Sequence, residues 1–406
     1  MPFRIALSGL NAAQTDLSVT GNNIANAGTT GFKRSRAEFA DVYAVAFEGI
    51  SDIATGNGVG VSAVSQNFSQ GNIDFTERNL DLSVRGQGFF VLDDPSGQAF
   101  SRAGAFHVDR DGYVINQSAQ KLQVFPAVTG GGFNTGVLSD LQLSTSDGPP
   151  QATTGITASV NLSSSETPPA TAPFDPLDPT SFNNSTSAVI YDSLGTAHTS
   201  TLYYAKTAVA NQWDTYFYID GNVVPSGGAS PVTMTFNSDG TINGPLNITY
   251  DAVPSGTGAD PIQLNLDYTS STQYGSPFAV NGLSQDGFTT GRLSGIDIDN
   301  EGVVFARFTN GQSTPLGKVA LANFPNVQGL RQLGDTNWAQ TFESGDLLLG
   351  EANTASFGLV QSGALETSNV DIAASLVNLI TAQRNFQANA QVISAADAVT
   401  QTIINI

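Results

Sequence analysis

Residues 371–404 read DIAASLVNLITAQRNFQANAQVISAADAVTQTII, a run without Gly or Pro and rich in Ala, Leu, Gln and Ile. It predicts one helix of roughly 50 Å at a rise of about 1.5 Å per residue. Ile372, Leu376, Leu379, Gln383, Phe386, Ala390 and Ile393 follow one another in alternating steps of four and three, the seam of a coiled coil. Beyond them Asp397 interrupts the repeat, and the stripe drifts to Ala396, Val399 and Ile403. The other faces carry Ala, Asn, Gln, Ser and Thr, where a solvated helix would show Lys and Glu. Such a surface predicts packing on several sides, some of them against other chains.

The first residues repeat the spacing. Phe3, Leu7, Leu10, Gln14, Leu17, Gly21 and Ile24 step by four and three, and Gln14 interrupts this seam much as Gln383 interrupts the other. Two heptad helices at opposite ends of a chain most simply fold back on each other and carry the middle as a body on a stalk. The alternative is two unrelated amphipathic helices on a globular core. The first helix is expected to end near Asn26-Ala27-Gly28, with Gly as a left-handed cap.

At 406 residues the chain has room for two or three domains. Its net charge of −20 argues against nucleic acid and anionic membrane surfaces as partners. It has no Cys, so disulfides, thiolate metal sites and cysteine nucleophiles are excluded. No stretch approaches the roughly 20 apolar residues of a membrane span, and the N-terminus lacks the apolar core of a cleaved signal. Arg4, Lys33, Arg34 and Arg36 form a local basic excess against Asp16, suited to an acidic partner or a solvated loop.

Between the helices the period becomes that of strands. Residues 31–70 read as a connector of mixed structure, with Phe39, Val42, Tyr43 and Phe47 available as one face of a short helix. Leu80, Leu82 and Val84, then Phe89-Phe90-Val91-Leu92, Phe106 to Ile115 and Leu122 to Phe125 are short strands parted by Gly and Asp turns. A Pro-, Thr- and Ser-rich stretch from Ser144 to Pro179 reads as loops on the rim of a second β domain. Its strands lie near Ser187–Tyr191, Thr199–Tyr204, Trp213–Ile219, Val232–Phe236 and Ile262–Tyr268, with Tyr203, Trp213, Tyr216 and Phe236 as core. From Gln285 the earlier hairpin pattern returns, which makes the second β domain an insertion into the first.

Catalytic constellations are missing. The two histidines, His107 and His198, fall in different predicted domains, which disfavours a histidine triad or multi-histidine metal site. There is no nucleophile elbow, Walker loop or dinucleotide fingerprint. Asp297 to Gly302 imitates half of a calcium loop, but Phe308 stands where a bidentate Glu is needed, so the segment reads as a β-turn. Nothing singles out a carboxylate pair for glycoside cleavage.

Several motifs nevertheless resemble one family. Ser8-Gly9-Leu10-Asn11-Ala12-Ala13, Leu17, Asn22, Asn23, Asn26, Gly31 and Phe32 resemble the N-terminal signature of bacterial flagellar rod and hook proteins. Gly363-Ala364-Leu365-Glu366, Asn369, and Gln383-Arg384-Asn385-Phe386-Gln387-Ala388-Asn389 are similar to the C-terminal one. Leu80 to Val84, Gly88-Phe89-Phe90 and Arg102 to Phe106 resemble the inner β domain of the same group. The insertion, Val189 to Gly195, and Leu321-Ala322-Asn323-Phe324 favour its hook members over distal rod proteins, which lack the insertion. Ser375 and Phe386 depart from the family pattern, which usually has an acidic residue and a Tyr there.

The resemblance implies a mainly β fold with terminal α-helices. The helices (1–30 and 364–406) would pair in a coiled-coil-like stalk, followed by a connector (31–70). An inner all-β domain (71–144 and 285–363) would then carry an inserted all-β domain (145–284). It further implies a non-enzymatic structural subunit, without cofactor or metal, that assembles with itself into a curved helical tube acting as a universal joint between motor and filament. The helices would form the inner tube, and the seam residues Phe3, Leu7, Leu10, Leu17, Ile24, Ile372, Leu376, Leu379, Gln383, Phe386, Ala390 and Ile393 would make helix and subunit contacts. By the same resemblance the neighbours are rod proteins below, hook–filament junction proteins above and a hook cap during assembly. The chain would lie outside the cell, exported through the flagellar apparatus without a cleaved signal peptide or membrane insertion. A distal rod protein, a rod-associated wall hydrolase and a stalked adhesin remain the alternatives.

Overall fold

A computed structural model describes residues 2–42, 56–128, 130–143, 147–354 and 356–404. Two long helices, α1 (Pro2–Ala25) and α2 (Ile372–Ile404), flank a middle built from strands, turns and two short 3-10 helices. The chain divides into two compact units. One comprises Met1–Ser144, Gly295–Arg307 and Ser313–Ile406, and the other comprises Thr145–Ser294 with Phe308–Gln312.

In the first unit α1 and α2 pack on each other. Gly9 lies against the side chain of Asn389, while Asp16, Thr20 and Asn23 share a cleft with Ser375, Asn378 and Thr381. The pair is therefore antiparallel. The carboxylate of Asp371 caps α2 by accepting the Ala374 N–H at 3.1 Å, satisfying one of the free amides of the first turn.

The packed stripe differs from the heptad reading. On α2, Ser375 and Ala382 are buried and Leu379, Phe386, Asn389, Ala390 and Ile393 half-buried, whereas Ile372, Leu376 and Gln383 are exposed. On α1 the buried positions are Ala6, Ala12, Ala13, Thr20 and Asn23. Leu10, Leu17 and Ile24 are half-buried, and Phe3, Leu7 and Gln14 are exposed. One column of each seam is thus displaced by about a residue, because small side chains occupy the contact. A Cβ on Gly9 would lie 2.6 Å from Asn389 Oδ1. Close approach selects Gly, Ala and Ser there and turns the larger apolar residues outward.

The end of α1 also differs. Gly28 is absent from the left-handed residues, and the Asn26 N–H closes the helix on the carbonyls of Asn22 and Asn23. The left-handed glycine is Gly31 (φ +70°), where a Cβ would come within 2.5 Å of the Ala103 backbone nitrogen. The connector that follows is no helix in its described part. Strands β1 (Ser35–Asp41) and β2 (Val59–Gln66) form an antiparallel hairpin with a bulge at Glu38/Phe39. Phe39 is thus a strand residue, while Tyr43 and Phe47 lie outside the described residues. The hairpin runs beside α1. Asn23 meets Ser35 near one end, and the Val59 N–H donates to Ser8 Oγ at 3.2 Å near the other.

Beyond the hairpin, strand Phe89–Asp94 pairs with Gly97–Ser101, Lys121–Pro126 and Ser313–Asn323. Their inward faces bury Phe89, Val91, Phe100, Phe125, Phe324 and Trp338, with Phe100 and Phe324 edge to face at 4.8 Å. Trp338 donates from Nε1 to Gln66 Oε1 at 3.2 Å, which ties the foot of β2 to this core. Outgoing and returning chain are laced by Leu82–Arg85 against Leu359–Ser362 and Ile73–Phe75 against Ala364–Glu366. The calcium-like segment is a turn, in which Asp299 Oδ1 accepts the N–H groups of Glu301 and Val303 and Asp297 pairs with Arg307.

The second unit holds a sheet of Asn184–Tyr191, Ala197–Lys206, Gln212–Ile219, Val232–Phe236 and Ile242–Gly244, together with a second one built around Gly155–Asn161. Strand Gln212–Ile219 alternates buried and half-buried positions, the period-two pattern of a sheet with one face inward. Trp213, Phe217 and Phe236 accordingly lie in the core. Tyr203 and Tyr216, assigned to the core from sequence, are on the opposite face, where Phe174 stacks on Tyr216 at 3.8 Å and meets Tyr203 edge-on. The Pro-rich stretch thus does more than form a rim, since it lays an aromatic side chain over that face.

Candidate functional site

The chemistry of the first unit concentrates where both ends of the chain enter the body. Lys33 follows Gly31 and Phe32 out of α1, and Glu366 closes the last strand before α2. Their side chains are 1 % and 0 % exposed, and Lys33 Nζ reaches Glu366 Oε1 at 2.5 Å. Arg102 approaches the other carboxylate oxygen at 3.3 Å and is itself 6 % exposed. Glu366 also accepts the Gly71 N–H at 2.8 Å, and Lys33 donates to the Ser69 carbonyl at 2.9 Å. Burial pushes the Lys33 ammonium below its ordinary pKa, and Glu366 opposes that shift. One carboxylate thus faces two buried cations, the three side chains coming from three distant segments, and leaves one positive charge uncompensated and Arg102 Nε without a partner; removing the carboxylate would strand both cations.

Two asparagines continue the junction. The buried Asn23 amide donates to the Ser35 carbonyl at 2.7 Å and accepts the Ser35 N–H at 2.9 Å, as a strand neighbour would. Asn369 accepts the Arg34 N–H at 2.8 Å and donates to the carbonyls of Asn67 and Ser69 at 2.8 and 2.9 Å. Asp, which has no donor, fills neither role. Phe32 is buried among these segments. Asn22 accepts from Asn26 Nδ2 at 2.6 Å on the helix surface, and Arg384 is exposed on α2. The structure therefore brings Asn23, Gly31, Phe32 and Asn369 together, places Asn389 over Gly9, and leaves Asn22 and Arg384 apart. The sequence places Arg102 and Glu366 only inside motifs and reads Lys33 as part of a basic cluster for an acidic partner or a solvated loop, whereas Lys33 is buried and its acidic partner is Glu366 of the same chain. The available signal was the rarity of charge, since only 12 % of residues are charged.

A second cluster lies in the inserted unit. His198 is nearly buried, with Nδ1 at 2.6 Å from Asp220 Oδ2 and Nε2 at 3.4 Å from Asp192 Oδ2. Asp192 is fully buried and accepts from Thr257 Oγ1 and from the N–H groups of Leu194 and Thr196. Burial pulls the His198 pKa down, but the hydrogen bonds and charges of Asp220 and Asp192 outweigh it, so it lies above the ordinary value. Burial likewise disfavours the Asp192 carboxylate, yet its donors hold it below the usual range. A raised His pKa contributes stability that is complete below the unfolded value and is lost as pH rises through the folded one. The inserted unit should therefore melt at progressively lower temperature as pH rises above the ordinary histidine value of 6.5 and through the raised folded one. Calorimetry of the wild type against His198→Gln checks this, and a slope unchanged in the variant overturns the assignment.

Among the described residues no group of His, Cys, Asp and Glu is arranged to hold a metal ion, and no helix is long and apolar enough to cross a membrane. The remaining chemistry is adhesive. Ile372, Leu376, Val377, Ile380, Val392 and Val399 are between 46 % and 63 % exposed on α2.

Comparison with known proteins covers nearly the whole chain. Residues 3–33 match the family model "Flagella basal body rod protein" and residues 83–159 "Flagellar hook protein FlgE/F/G D1 domain". Residues 161–288 match "Flagellar basal body protein FlaE D2 domain" and residues 361–406 "Flagellar basal body rod FlgEFG protein C-terminal". The flagellar hook proteins of Salmonella typhimurium and Escherichia coli K12 are 36 % and 37 % identical, with all of each chain covered. That of Borreliella burgdorferi is 31 % identical over 98 % of both chains. A crystal structure of a Helicobacter pylori flagellar hook protein shares the fold at a TM-score of 0.53 and 16 % identity, covering 72 % of this chain and 100 % of that one.

Proposed function

The chain belongs to the flagellar hook protein family, and from that premise we propose that its antiparallel helix pair is the assembly element of a bendable helical tube. As a hook protein it is a structural subunit of the bacterial flagellum, and its principal partner is further copies of itself. The observation that carries the assembly reading is the exposed apolar surface of α2. Leu376, Val377 and Ile380 sit on faces that α1 leaves open, and a helix in water does not keep such a surface uncovered.

The buried ion cluster and the Asn23 and Asn369 bridges then transmit load between helix pair and body. The helix surfaces suit a joint that must bend. Ala, Asn, Gln, Ser and Thr contacts exchange neighbours at small cost, whereas a fixed ion pair loses its partner when it slides. Rod proteins below, junction proteins above, a cap at the growing tip and passage through the flagellar export apparatus complete the proposed setting. Purified chain brought to high salt and viewed by negative-stain electron microscopy tests the reading. Tubes are the expected result, and separate particles at every concentration overturn it.

A further inference from the structure

The most exposed large apolar side chain among the described residues is Phe342, at 102 % exposure. It sits in the short turn Phe342–Ser344, and this turn is braced. Thr341 and Ser344 form a reciprocal capping box. Thr341 Oγ1 also donates to the Gly329 carbonyl, and Asn326 Nδ2 donates to the Glu343 carbonyl at 3.0 Å. Gln340 Nε2 closes the loop on the Gly345 carbonyl at 3.0 Å. A braced turn backbone presents the ring from a fixed point, so docking has little backbone freedom left to remove. Glu343 and Asp346 flank it, and both are exposed without an ion-pair partner among the described residues.

The same unit carries a complementary surface. Phe75, 75 % exposed, ends the three-residue strand Ile73–Phe75. Beside it lies a shallow hollow of about 480 Å³ lined by Gln70, Asn72, Ile73, Phe75 and Arg85 among others. Arg85 is the only charged residue of that lining, is exposed, and makes no ion pair among the described residues. We propose that the Phe342 loop of one subunit seats in the Phe75 hollow of a second copy of this chain, with Glu343 and Asp346 turned toward Arg85. The two patches are different surfaces, so the contact is heterologous. Repeated from copy to copy, it joins each subunit to a next one, where an isologous pair would be complete with two copies. It supplies the β body with a contact of its own, separate from the helices. The inference rests on the reading that the chain polymerises.

The absence of cysteine makes the test direct. Gln340→Cys and Asn72→Cys flank the two patches and leave both Phe rings intact; the first gives up the Gln340–Gly345 bond, while the Thr341–Ser344 box and the bonds to Gly329 and from Asn326 still brace the turn. A short bis-maleimide added to polymer of the double variant should give a ladder of cross-linked oligomers, while each single variant stays monomeric on a denaturing gel. Polymer that yields no ladder overturns the contact, and so does a cross-linked dimer from Gln340→Cys alone, which would pair the loop with its own copy. Independently, Phe342→Ala should raise the concentration needed for polymerisation by about tenfold to a hundredfold, with the melting of the monomer unchanged. An unchanged threshold refutes the proposal. Wild-type chain that forms no polymer overturns the assembly reading and the contact with it.

Discussion

Replacing Glu366 by Gln is expected to destabilise the first unit by about 3–5 kcal/mol, although the two side chains are nearly isosteric. Among the described residues the carboxylate is the only anion on the buried Lys33 ammonium and Arg102 guanidinium. Gln leaves both cations inside without a counter-charge, and its amide presents donors where acceptors are needed. Urea unfolding followed by tryptophan fluorescence reads the loss, because Trp338 belongs to this unit and Trp213 to the other. The transition of the inserted unit should not move. Lys33→Met combined with Glu366→Gln should recover part of the loss by removing one orphaned charge. A double variant as unstable as the sum of the single ones would show that the cluster is not coupled.

Leu376→Asp with Ile380→Asp is expected to abolish polymerisation without changing the fold. Both residues are exposed on α2, at 46 % and 49 %, so neither contributes much to the packing of the monomer. Phe386→Asp is the informative contrast. Phe386 is half-buried in the monomer, so its replacement should loosen the helix pair as well as block assembly. Circular dichroism and sedimentation separate the two effects. Tubes from the exposed-face variant would remove α2 as an assembly surface, whatever Phe386→Asp does.

The terminal helices and the strand-rich middle were legible because periodicity is a local property. The alternation in Gln212–Ile219 and the uninterrupted run after Asp371 both report which side chains share a face. Which column of a heptad meets its partner is a different question. Leu376 and Ile372 fit the apolar pattern better than Ser375 and Ala382, yet the latter are buried. The distance between the helices decides that choice, and Gly9 against Asn389 sets it short. The hairpin of residues 35–66 was missed for a related reason. Phe39 and Val42 match a helical spacing over one turn, while the strand pairing of Phe39 depends on Val61, beyond an intervening stretch. The junction was least legible of all, because a buried Lys is ordinarily unexpected and its partner stands at the far end of the chain.

That last separation has a consequence for the order in which the molecule can form. Lys33 and Glu366 are 333 residues apart in sequence, and both strand pairs that lace the body join outgoing to returning chain. Apart from Phe308–Gln312, the inserted unit is one continuous segment, Thr145–Ser294, and can collapse on contacts nearer in sequence. Long-range pairings bear the larger loop-closure entropy and form late. The first unit therefore stays incomplete on the ribosome until the final segment emerges. A chain interrupted anywhere before Glu366 would hold α1 only through the hairpin bonds of Asn23 and Ser8, with Lys33 lacking its carboxylate and α1 lacking α2.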